Sequence, residues 1–210
     1  MTKLMTSDQW CAVLRKCGVK IITATMWGDV FADVVTDKSF SKGTLEIDDF
    51  LGQVLHESAG LTQLRENLDY SASRLMQVWP SRFPTLDCAL LYARNPEALA
   101  NFVYAGRMGN CEPGDGWRFA GRGPIQLTGR DNYEFVGDLI GQDLVDLPEL
   151  MEQPRYALEA TIAWWEDRIP DSMLGDPLKV TKRVNGGILG LNDRILITKA
   201  ACAALGGGVA

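Results

Sequence analysis

The amino-acid sequence predicts a mainly α-helical protein of two lobes, with at most a very short β element. Apolar residues recur at helical spacing in most segments, and prolines and glycines separate these segments. The chain has 210 residues, of which 46% are hydrophobic, so it can bury one main core and a smaller second one. It contains no internal repeat and no low-complexity tract. We therefore expect residues 1–210 to form a single domain.

Nine segments carry the helical pattern. They are residues 7–17, 45–59, 71–79, 85–94, 96–107, 131–140, 154–168, 176–184 and 192–205. Pro80, Pro84 and Pro96 divide the middle segments, and the Pro-Gly-Asp-Gly run at 113–116 ends them. We expect an inserted small helical lobe at about residues 78–112 and a main lobe formed by residues 1–77 and 113–210.

The helix predicted at 45–59 carries a carboxylate near its end. Its apolar face follows the i, i+3, i+4, i+7, i+8 spacing and consists of Ile47, Phe50, Leu51, Val54 and Leu55. At about 100° per residue, Glu57 projects within about 20° of Phe50, whereas His56 points away from the apolar face. Burial disfavours the ionised form of a carboxyl group. Glu57 is therefore suited to hold a proton and to act as a general acid.

A second carboxylate, Glu66, follows nine residues later. On one continuous helix it would lie on the opposite face and about 13 Å further along. Gly60 can take the left-handed conformation that ends a helix. The chain could then double back and present Glu66 across a cleft from Glu57, so that the pair would act as general acid and general base.

Simpler interpretations of both residues remain open. Glu57 could be a solvated residue at the edge of its helix, and Glu66 could cap a helix or pair with Arg65 or Arg74. Three other acidic residues are alternatives for the second carboxylate. These are Asp69, Glu112 and Asp115.

The segment Gly121–Thr128 (GRGPIQLT) combines glycines, a proline and polar side chains. Its glycines allow close approach of the backbone to a ligand, and Pro124 makes the segment rigid. Apolar and polar residues alternate over 125–128, which predicts a short strand with one polar face. The alternative is an ordinary tight turn before the helix that begins near Asp131. The run Asn185-Gly186-Gly187 could likewise be only a helix stop.

Together these motifs resemble a known family. They are HES at 56–58 with the downstream Glu66, WRFAGRGPIQLT at 117–128, Asn132-Tyr133, Asn185-Gly186-Gly187 and Arg194. With its motifs in this order along the chain, the sequence resembles glycoside hydrolase family 19. Within that family it resembles the compact endolysins of bacteriophages that infect Gram-negative bacteria more than the plant chitinases. The resemblance runs from about Leu45 to the C-terminal helix. It implies a lysozyme-like fold and hydrolysis of β-1,4 glycosidic bonds by an inverting mechanism, for which the two carboxylates would stand about 6.5–9.5 Å apart.

The resemblance also implies roles for individual residues. Glu57 would be the general acid and Glu66 the general base. Thr128 would hold the attacking water, and Arg194 would brace the acid. The residues expected to bind sugar are Gln126, Asn132, Tyr133 and Asn185, with His56 and Arg122 in supporting roles. Where many relatives have a tyrosine before the GRG run, this chain has Phe119-Ala120, so no hydroxyl contact is expected there.

Histidine and cysteine content excludes several other classes of enzyme. His56 is the only histidine, so a Ser/His/Asp set could be built only around it, and a zinc amidase normally needs several histidine or cysteine ligands. The five cysteines are odd in number and show no CxxC spacing, which is typical of thiols from a reducing compartment. We expect no metal and no cofactor.

Charge gives weaker evidence about partners. The formal net charge is −6, and no basic stripe indicates nucleic-acid binding. Four arginines are nevertheless gathered near the motifs: Arg107, Arg118, Arg122 and Arg130. Their field would favour an anionic polymer such as peptidoglycan over chitin, although such a group can equally be a solvated face.

We expect neither a signal peptide nor insertion into a membrane. The first seventeen residues are better interpreted as a capped helix beginning near Ser7, and no apolar run is long enough to cross a bilayer. The resemblance implies a monomer that is made in the host cytoplasm and acts on the periplasmic cell wall after a separate, holin-like protein permeabilises the membrane. Three alternatives remain: a chitinase acting on N-acetylglucosamine polymers, a lytic transglycosylase that needs only Glu57, and a wall-binding module without catalytic activity.

Overall fold

The structure, a computed structural model, describes residues 2–206 and is built almost entirely from helices. The α-helices are α1 (Ser7–Lys16), α2 (Ile21–Val34), α3 (Thr44–Glu57), α4 (Ala72–Val78), α5 (Leu86–Leu90), α6 (Pro96–Tyr104), α7 (Asp115–Arg118), α8 (Arg130–Ile140), α9 (Pro154–Arg168), α10 (Pro177–Asn185) and α11 (Leu191–Ala204). Two 3-10 helices span Pro148–Glu152 and Asp171–Met173. Within residues 2–206, β structure is confined to isolated bridges. The predicted mainly helical fold is confirmed.

The helices form two compact units. The first unit comprises the chain up to Leu64, the short segment Gly123–Gln126 and everything described from Leu150 onwards. The second unit comprises Arg65–Arg122 and Leu127–Glu149. Residues 78–112, where we expect a small lobe, all belong to the second unit, which extends beyond them on both sides. The lobe boundaries themselves stay a prediction.

Aromatic side chains fill the core of the first unit. The rings of Trp10 and Phe31 join α1 to α2, with centroids 4.8 Å apart, and those of Phe50 and Trp165 join α3 to α9 at 5.4 Å. α1 begins at a capping box in which Thr6 and Gln9 satisfy each other's backbone N–H groups. The apolar face predicted for α3 is buried in this core, so the helix is fixed along its length.

α3 packs closely on α11 because Gly52 has no side chain. A Cβ atom at Gly52 would lie 2.0 Å from Oγ1 of Thr198, which is far inside contact distance. This close approach brings the last turn of α3 beside the first turn of α11. The elements that carry Glu57 and Arg194 are thus held together by helix packing.

The second unit has its own core. It is built from α4, α5 and α6, with the buried side chains Leu75, Phe83, Ala89, Leu99 and Val103. α7 packs against α6 at Gly116, where a Cβ atom would lie 2.5 Å from the carbonyl oxygen of Ala100. This packing fixes the chain that leads into Gly121.

The sequence analysis missed α2. Its N-cap is Lys20, whose side chain makes no capping hydrogen bond, and β-branched residues fill its first turn. Ile21 and Ile22 are exposed although they are apolar, so the segment has no clear polar face. Without a cap signal or an amphipathic pattern, it was indistinguishable from a connecting segment.

The predicted strand at 125–128 is wrong. Gln126 has a φ of 57°, in the left-handed region, which interrupts an extended strand. Arg122 and Leu127 exchange two backbone hydrogen bonds of 3.1 and 2.8 Å, and these form an isolated bridge around the intervening residues. The alternation of apolar and polar residues therefore reflects a tight turn, which was the alternative interpretation.

Candidate active site

Glu57 is the last residue of α3 and pairs with a buried arginine. Nη2 of Arg194 donates a hydrogen bond to Oε1 of Glu57 at 2.5 Å. Arg194 is fully buried, whereas the side chain of Glu57 is 24% exposed. The helical spacing predicts only the burial of Glu57 and not this partner. The guanidinium lies where it can stabilise the anion that Glu57 becomes when it gives up a proton.

A mostly apolar recess lies beside Glu57 and Gln53. Its other lining residues are Val54, Ile125, Trp164, Trp165 and Val184. The guanidinium contact is made to Oε1 and leaves Oε2 of Glu57 outside it.

His56 supports the same junction. Its Nδ1 lies 2.6 Å from Oδ2 of Asp193, and its ring lies directly over Gly190, where a Cβ atom would come within 2.1 Å of Nε2. Consecutive residues of α3 thus pair with consecutive residues of α11: His56 with Asp193, and Glu57 with Arg194. We expected a supporting role for His56, and its position at this junction agrees with one.

Gly60 does not end α3 as expected. The helix ends three residues earlier, at Glu57, and Ser58 is its C-cap. Gly60 does take a left-handed conformation, with a φ of 69°, and its N–H donates to the carbonyl of Leu55 at 2.7 Å. It therefore closes the turn that follows the helix and leads the chain away from it.

Glu66 belongs to the second unit and is held by two neutral donors. Its Oε1 accepts a hydrogen bond from the N–H of Gly121 at 2.6 Å, and its Oε2 accepts one from the hydroxyl of Tyr104 at 2.8 Å. Its own N–H donates to the carbonyl of Gly121 at 2.9 Å. Both carboxyl oxygens of Glu66 are thus held by hydrogen-bond donors.

Tyr104 remains a donor throughout the working range of an enzyme. Burial raises the pKa of its phenol above the ordinary value, the negative charge of Glu66 raises it further, and Arg107 only partly opposes this. From the sequence, Tyr104 is either an aromatic residue that stacks on sugar or a core residue. Its contact with Glu66 has no signal in the sequence, because 38 positions separate the two residues.

Two of the alternative candidates for the second carboxylate form ion pairs with arginines. Asp115 is buried and accepts hydrogen bonds from Nε and Nη2 of Arg130 at 3.0 and 2.6 Å. This pair holds the pKa of Asp115 below its ordinary value. Asp69 pairs with Arg94 at 2.9 Å on the surface. Both contacts are structural, so Glu66 is the better candidate for the base.

Polar residues of the glycine-rich segment hold one another in place. Nδ2 of Asn132 donates to the carbonyl of Thr128 at 2.7 Å, and Nε2 of Gln126 donates to the carbonyl of Gly123 at 3.0 Å. Thr128, Asn132 and Gln126 are all half-buried, so parts of their side chains face solvent. Their expected contacts with water or sugar stay predictions.

Tyr133 does not suit the sugar-binding role that we expected. It is fully buried, donates to the carbonyl of Ala120 at 2.8 Å and accepts from Nη1 of Arg122 at 3.1 Å. A buried side chain offers no surface to a glycan, so we assign Tyr133 a supporting role beside Arg122. Asn185 is the last residue of α10, and Gly186 closes that helix with a φ of 76°.

The four arginines do not form one charged face. Arg122 and Arg130 have internal partners, and Arg118 donates to the carbonyl of Val145 at 2.9 Å. Arg107 is exposed and lies near Tyr104. The charge argument for an anionic polymer therefore depends mainly on Arg107.

No metal centre is evident in the described part of the chain. Residues 2–206 contain no group of three or more histidine, cysteine or acidic side chains placed to hold a metal ion. All five cysteines are free thiols. No helix in the same range has the length and apolar character needed to span a membrane.

Comparison with known proteins identifies the family. The family model for class I chitinases of glycoside hydrolase family 19 matches residues 20–171, well over half of the chain. The chain belongs to glycoside hydrolase family 19. It is therefore a glycoside hydrolase of the chitinase-like type. The family 19 assignment rests on the sequence match and does not depend on any single site residue.

Proteins of similar sequence occur in bacteria and plants. A glycosyl hydrolase family 19 domain-containing protein of Haemophilus influenzae is 39% identical over 153 residues, covering 72% of this chain and 76% of that protein. An acidic 27 kDa endochitinase of Solanum lycopersicum is 50% identical over 47 residues, covering 22% of this chain and 19% of that protein. Sequence similarity to the bacterial relative is thus the more extensive of these two.

Solved structures of chitinases share the fold. Chitinase C from Streptomyces griseus matches with a TM-score of 0.58 over 100% of this chain and 97% of that one, at 18% identity. A class IV chitinase from Zea mays matches with a TM-score of 0.51 over 90% of this chain and 82% of that one, at 16% identity. The predicted lysozyme-like helical fold is thereby confirmed.

Proposed function

We propose that this family 19 enzyme is an endolysin that hydrolyses β-1,4 glycosidic bonds of peptidoglycan glycan strands with inversion. Glu57 is the general acid and Glu66 the general base. One observation carries this assignment: the two carboxyl groups have different partners. Arg194 holds only one oxygen of Glu57, whereas neutral donors hold both oxygens of Glu66. The contact with Arg194 leaves Oε2 of Glu57 for the proton that is transferred, and the charge that Glu57 acquires on giving it up forms beside a cation; the donors to Glu66 fix both of its oxygens for contact with a water molecule.

The reaction follows from these partners. Oε2 of Glu57 donates its proton to the glycosidic oxygen as the bond between that oxygen and the anomeric carbon breaks. Glu66 takes a proton from a water molecule, whose oxygen attacks the anomeric carbon from the opposite face. Glu57 becomes anionic in this step. Arg194 therefore stabilises a charge that develops during the reaction, which is the kind of contact that lowers a barrier.

The substrate class is supported by the motif combination and by one cation. The order of the HES, GRGPIQLT and NGG motifs resembles that of phage endolysins. Arg107 is exposed beside Tyr104, where it can attract the lactyl and peptide carboxylates of peptidoglycan. We propose a muramidase that is made in the host cytoplasm, acts as a monomer and reaches the wall after a holin-like protein has opened the membrane.

A chitinase is the second candidate. This candidate is favoured by the comparisons, because the plant relative is an endochitinase and the compared structures are chitinases. Chitin has no carboxylates, so this candidate gives Arg107 no role in binding. Catalysis by Glu57 and Glu66 would be the same for both polymers.

Product analysis distinguishes these functions. Purified Gram-negative sacculi and N-acetylglucosamine oligomers are digested in parallel, the new reducing ends are tagged, and the products are identified by mass spectrometry. We expect muropeptides that end in tagged N-acetylmuramic acid. Cleavage of the chitin oligomers alone, or release of anhydro sugars that cannot be tagged, would contradict the proposal.

Substitution of the carboxylates tests the mechanism. Glu57→Gln and Glu66→Gln should each lower the rate of sacculus hydrolysis by at least about 100-fold, the usual contribution of a general acid or base. Glu97→Gln is the matched control, because Glu97 is an exposed residue in the first turn of α6. Glu66→Gln and Glu97→Gln should unfold at temperatures close to wild type, whereas Glu57→Gln removes the charged partner of buried Arg194 and should unfold at a lower temperature that is still above the assay temperature. Activity of Glu57→Gln above a tenth of wild type would count against the assignment.

A further inference from the structure

A glutamine one turn before Glu57 contacts the same arginine. Gln53 lies in the interior of α3 and is 1% exposed. Its Oε1 accepts a hydrogen bond from Nη1 of Arg194 at 2.7 Å. The buried cation therefore has one charged partner, Glu57, and one neutral side-chain partner, Gln53.

Thr181 fixes the orientation of the glutamine amide. Nε2 of Gln53 donates to Oγ1 of Thr181 at 3.2 Å, and Thr181 is fully buried in α10. A reversed amide would direct its N–H groups at the guanidinium N–H groups of Arg194, which repel them. Because the hydroxyl of Thr181 accepts from the nitrogen, the amide oxygen is directed at Arg194.

All three guanidinium nitrogens of Arg194 donate hydrogen bonds. Nη1 donates to Gln53, Nε donates to the carbonyl of Leu189 at 3.3 Å, and Nη2 donates to Glu57. The planar guanidinium group cannot rotate without breaking these bonds. Its contact with Glu57 is therefore limited to Nη2 and Oε1.

We propose that Gln53, oriented by Thr181, is a positioning residue for the general acid. It anchors Arg194 without taking part of its charge, so that the full positive charge faces Glu57 when Glu57 gives up its proton. A carboxylate at position 53 would divide that charge between two anions. This inference rests on the proposed role of Glu57 as the acid.

The substitution Gln53→Glu tests the requirement for a neutral partner. Glutamate has nearly the same shape and keeps an oxygen for Arg194, but it adds a negative charge next to Glu57. We expect kcat on soluble glycan oligomers to fall at least 10-fold with KM within about twofold. The alkaline limb of the kcat–pH profile should move to higher pH, because Glu57 keeps its proton more strongly beside a second anion.

The substitution Thr181→Val tests the orientation of the amide. Valine has the shape of threonine without the hydroxyl, so the amide of Gln53 is no longer held, and we expect kcat to fall about 3- to 10-fold. Thr161→Val is the matched control. Thr161 is also fully buried in the first unit, but its hydroxyl donates to the carbonyl of Ala157 within α9, away from Arg194. This control should lose no more than a small part of kcat at a comparable loss of thermal stability.

The outcomes separate this inference from the proposed function. Wild-type kcat and an unmoved alkaline limb in a folded Gln53→Glu protein would overturn the positioning role. So would equal losses of kcat in Thr181→Val and Thr161→Val. If Glu57→Gln is inactive while Gln53→Glu behaves as wild type, only the positioning role fails. If Glu57→Gln remains fully active, the assignment of the acid fails and the inference fails with it.

Discussion

At the scale of single residues, the two donors to Glu66 differ in how they can be tested. The amide of Gly121 belongs to the backbone, whereas the phenol of Tyr104 can be removed by one substitution. A hydrogen bond to a charged group contributes about 1.5–3 kcal/mol, and each 1.4 kcal/mol corresponds to about tenfold in rate. Substitution of Tyr104 therefore changes the hydrogen bonding of the base without altering Glu66 itself.

We predict that Tyr104→Phe lowers kcat by about 10- to 100-fold with little change in thermal stability. Phenylalanine keeps the ring in the core but leaves Oε2 of Glu66 without its donor. Tyr92→Phe is the control, since Tyr92 lies in the same unit and makes ring contacts with Phe83 and Phe102. The measurement is steady-state hydrolysis of soluble glycan oligomers. Equal activities of the two variants would show that the hydroxyl of Tyr104 does not contribute to catalysis.

Residues with a motif could be predicted, and residues defined by distant contacts could not. Glu57 and Arg194 were identified because each stands in a recognisable local pattern. Gln53 and Arg194 are 141 positions apart, so their hydrogen bond has no local signal. The available hint was a glutamine inside an otherwise apolar helical run, because buried polar residues are rare without a partner.

At the scale of elements, the first half of α3 carries buried acids that the reaction does not use. Glu46 and Asp49 are both 1% exposed, and Glu46 accepts a hydrogen bond from Nε1 of Trp165 at 2.7 Å. Burial raises the pKa of Asp49 to about 6, and the charges of Asp48, Asp176 and Glu46 add to this effect. Burial, followed by the charge of Glu46, raises the pKa of Glu166 to about 7.

These shifts predict that the protein becomes less stable as the pH rises. In the folded state both groups bind their protons more tightly than in the unfolded state, where their pKa values are 3.8 and 4.5. Their stabilising contribution is complete below about pH 4 and is lost as the pH rises through 6 to 7. We expect the melting temperature to fall between pH 5 and pH 8 at constant ionic strength, and Asp49→Asn to flatten this dependence. A melting temperature that rises over this interval would contradict the argument.

The elements themselves show why some sequence signals succeeded. The helix predicted at 154–168 coincides with α9, because Pro154 marks its first turn and its apolar pattern is continuous. α2 was missed because its outward side chains include exposed isoleucines. The strand predicted at 125–128 failed because a period of two over four residues does not report the left-handed φ of Gln126.

At the scale of the whole molecule, the division into units depends on contacts that the sequence does not display. Gly123–Gln126 belongs to the first unit although the residues on both sides of it belong to the second. Proline positions therefore could not locate these boundaries. Helical content and family could be predicted, since amphipathic patterns and ordered motifs are properties of the sequence itself. At 18% identity, chitinase C from Streptomyces griseus still shares the fold.

The stereochemistry of cleavage tests the central claim most directly. Soluble glycan oligomers are hydrolysed by the wild-type enzyme, and the new reducing end is followed by proton NMR before mutarotation. A general acid at Glu57 with a water-activating base at Glu66 predicts the α anomer as the first product of a β-1,4 bond. The β anomer as first product, or an anhydro sugar, would contradict the account.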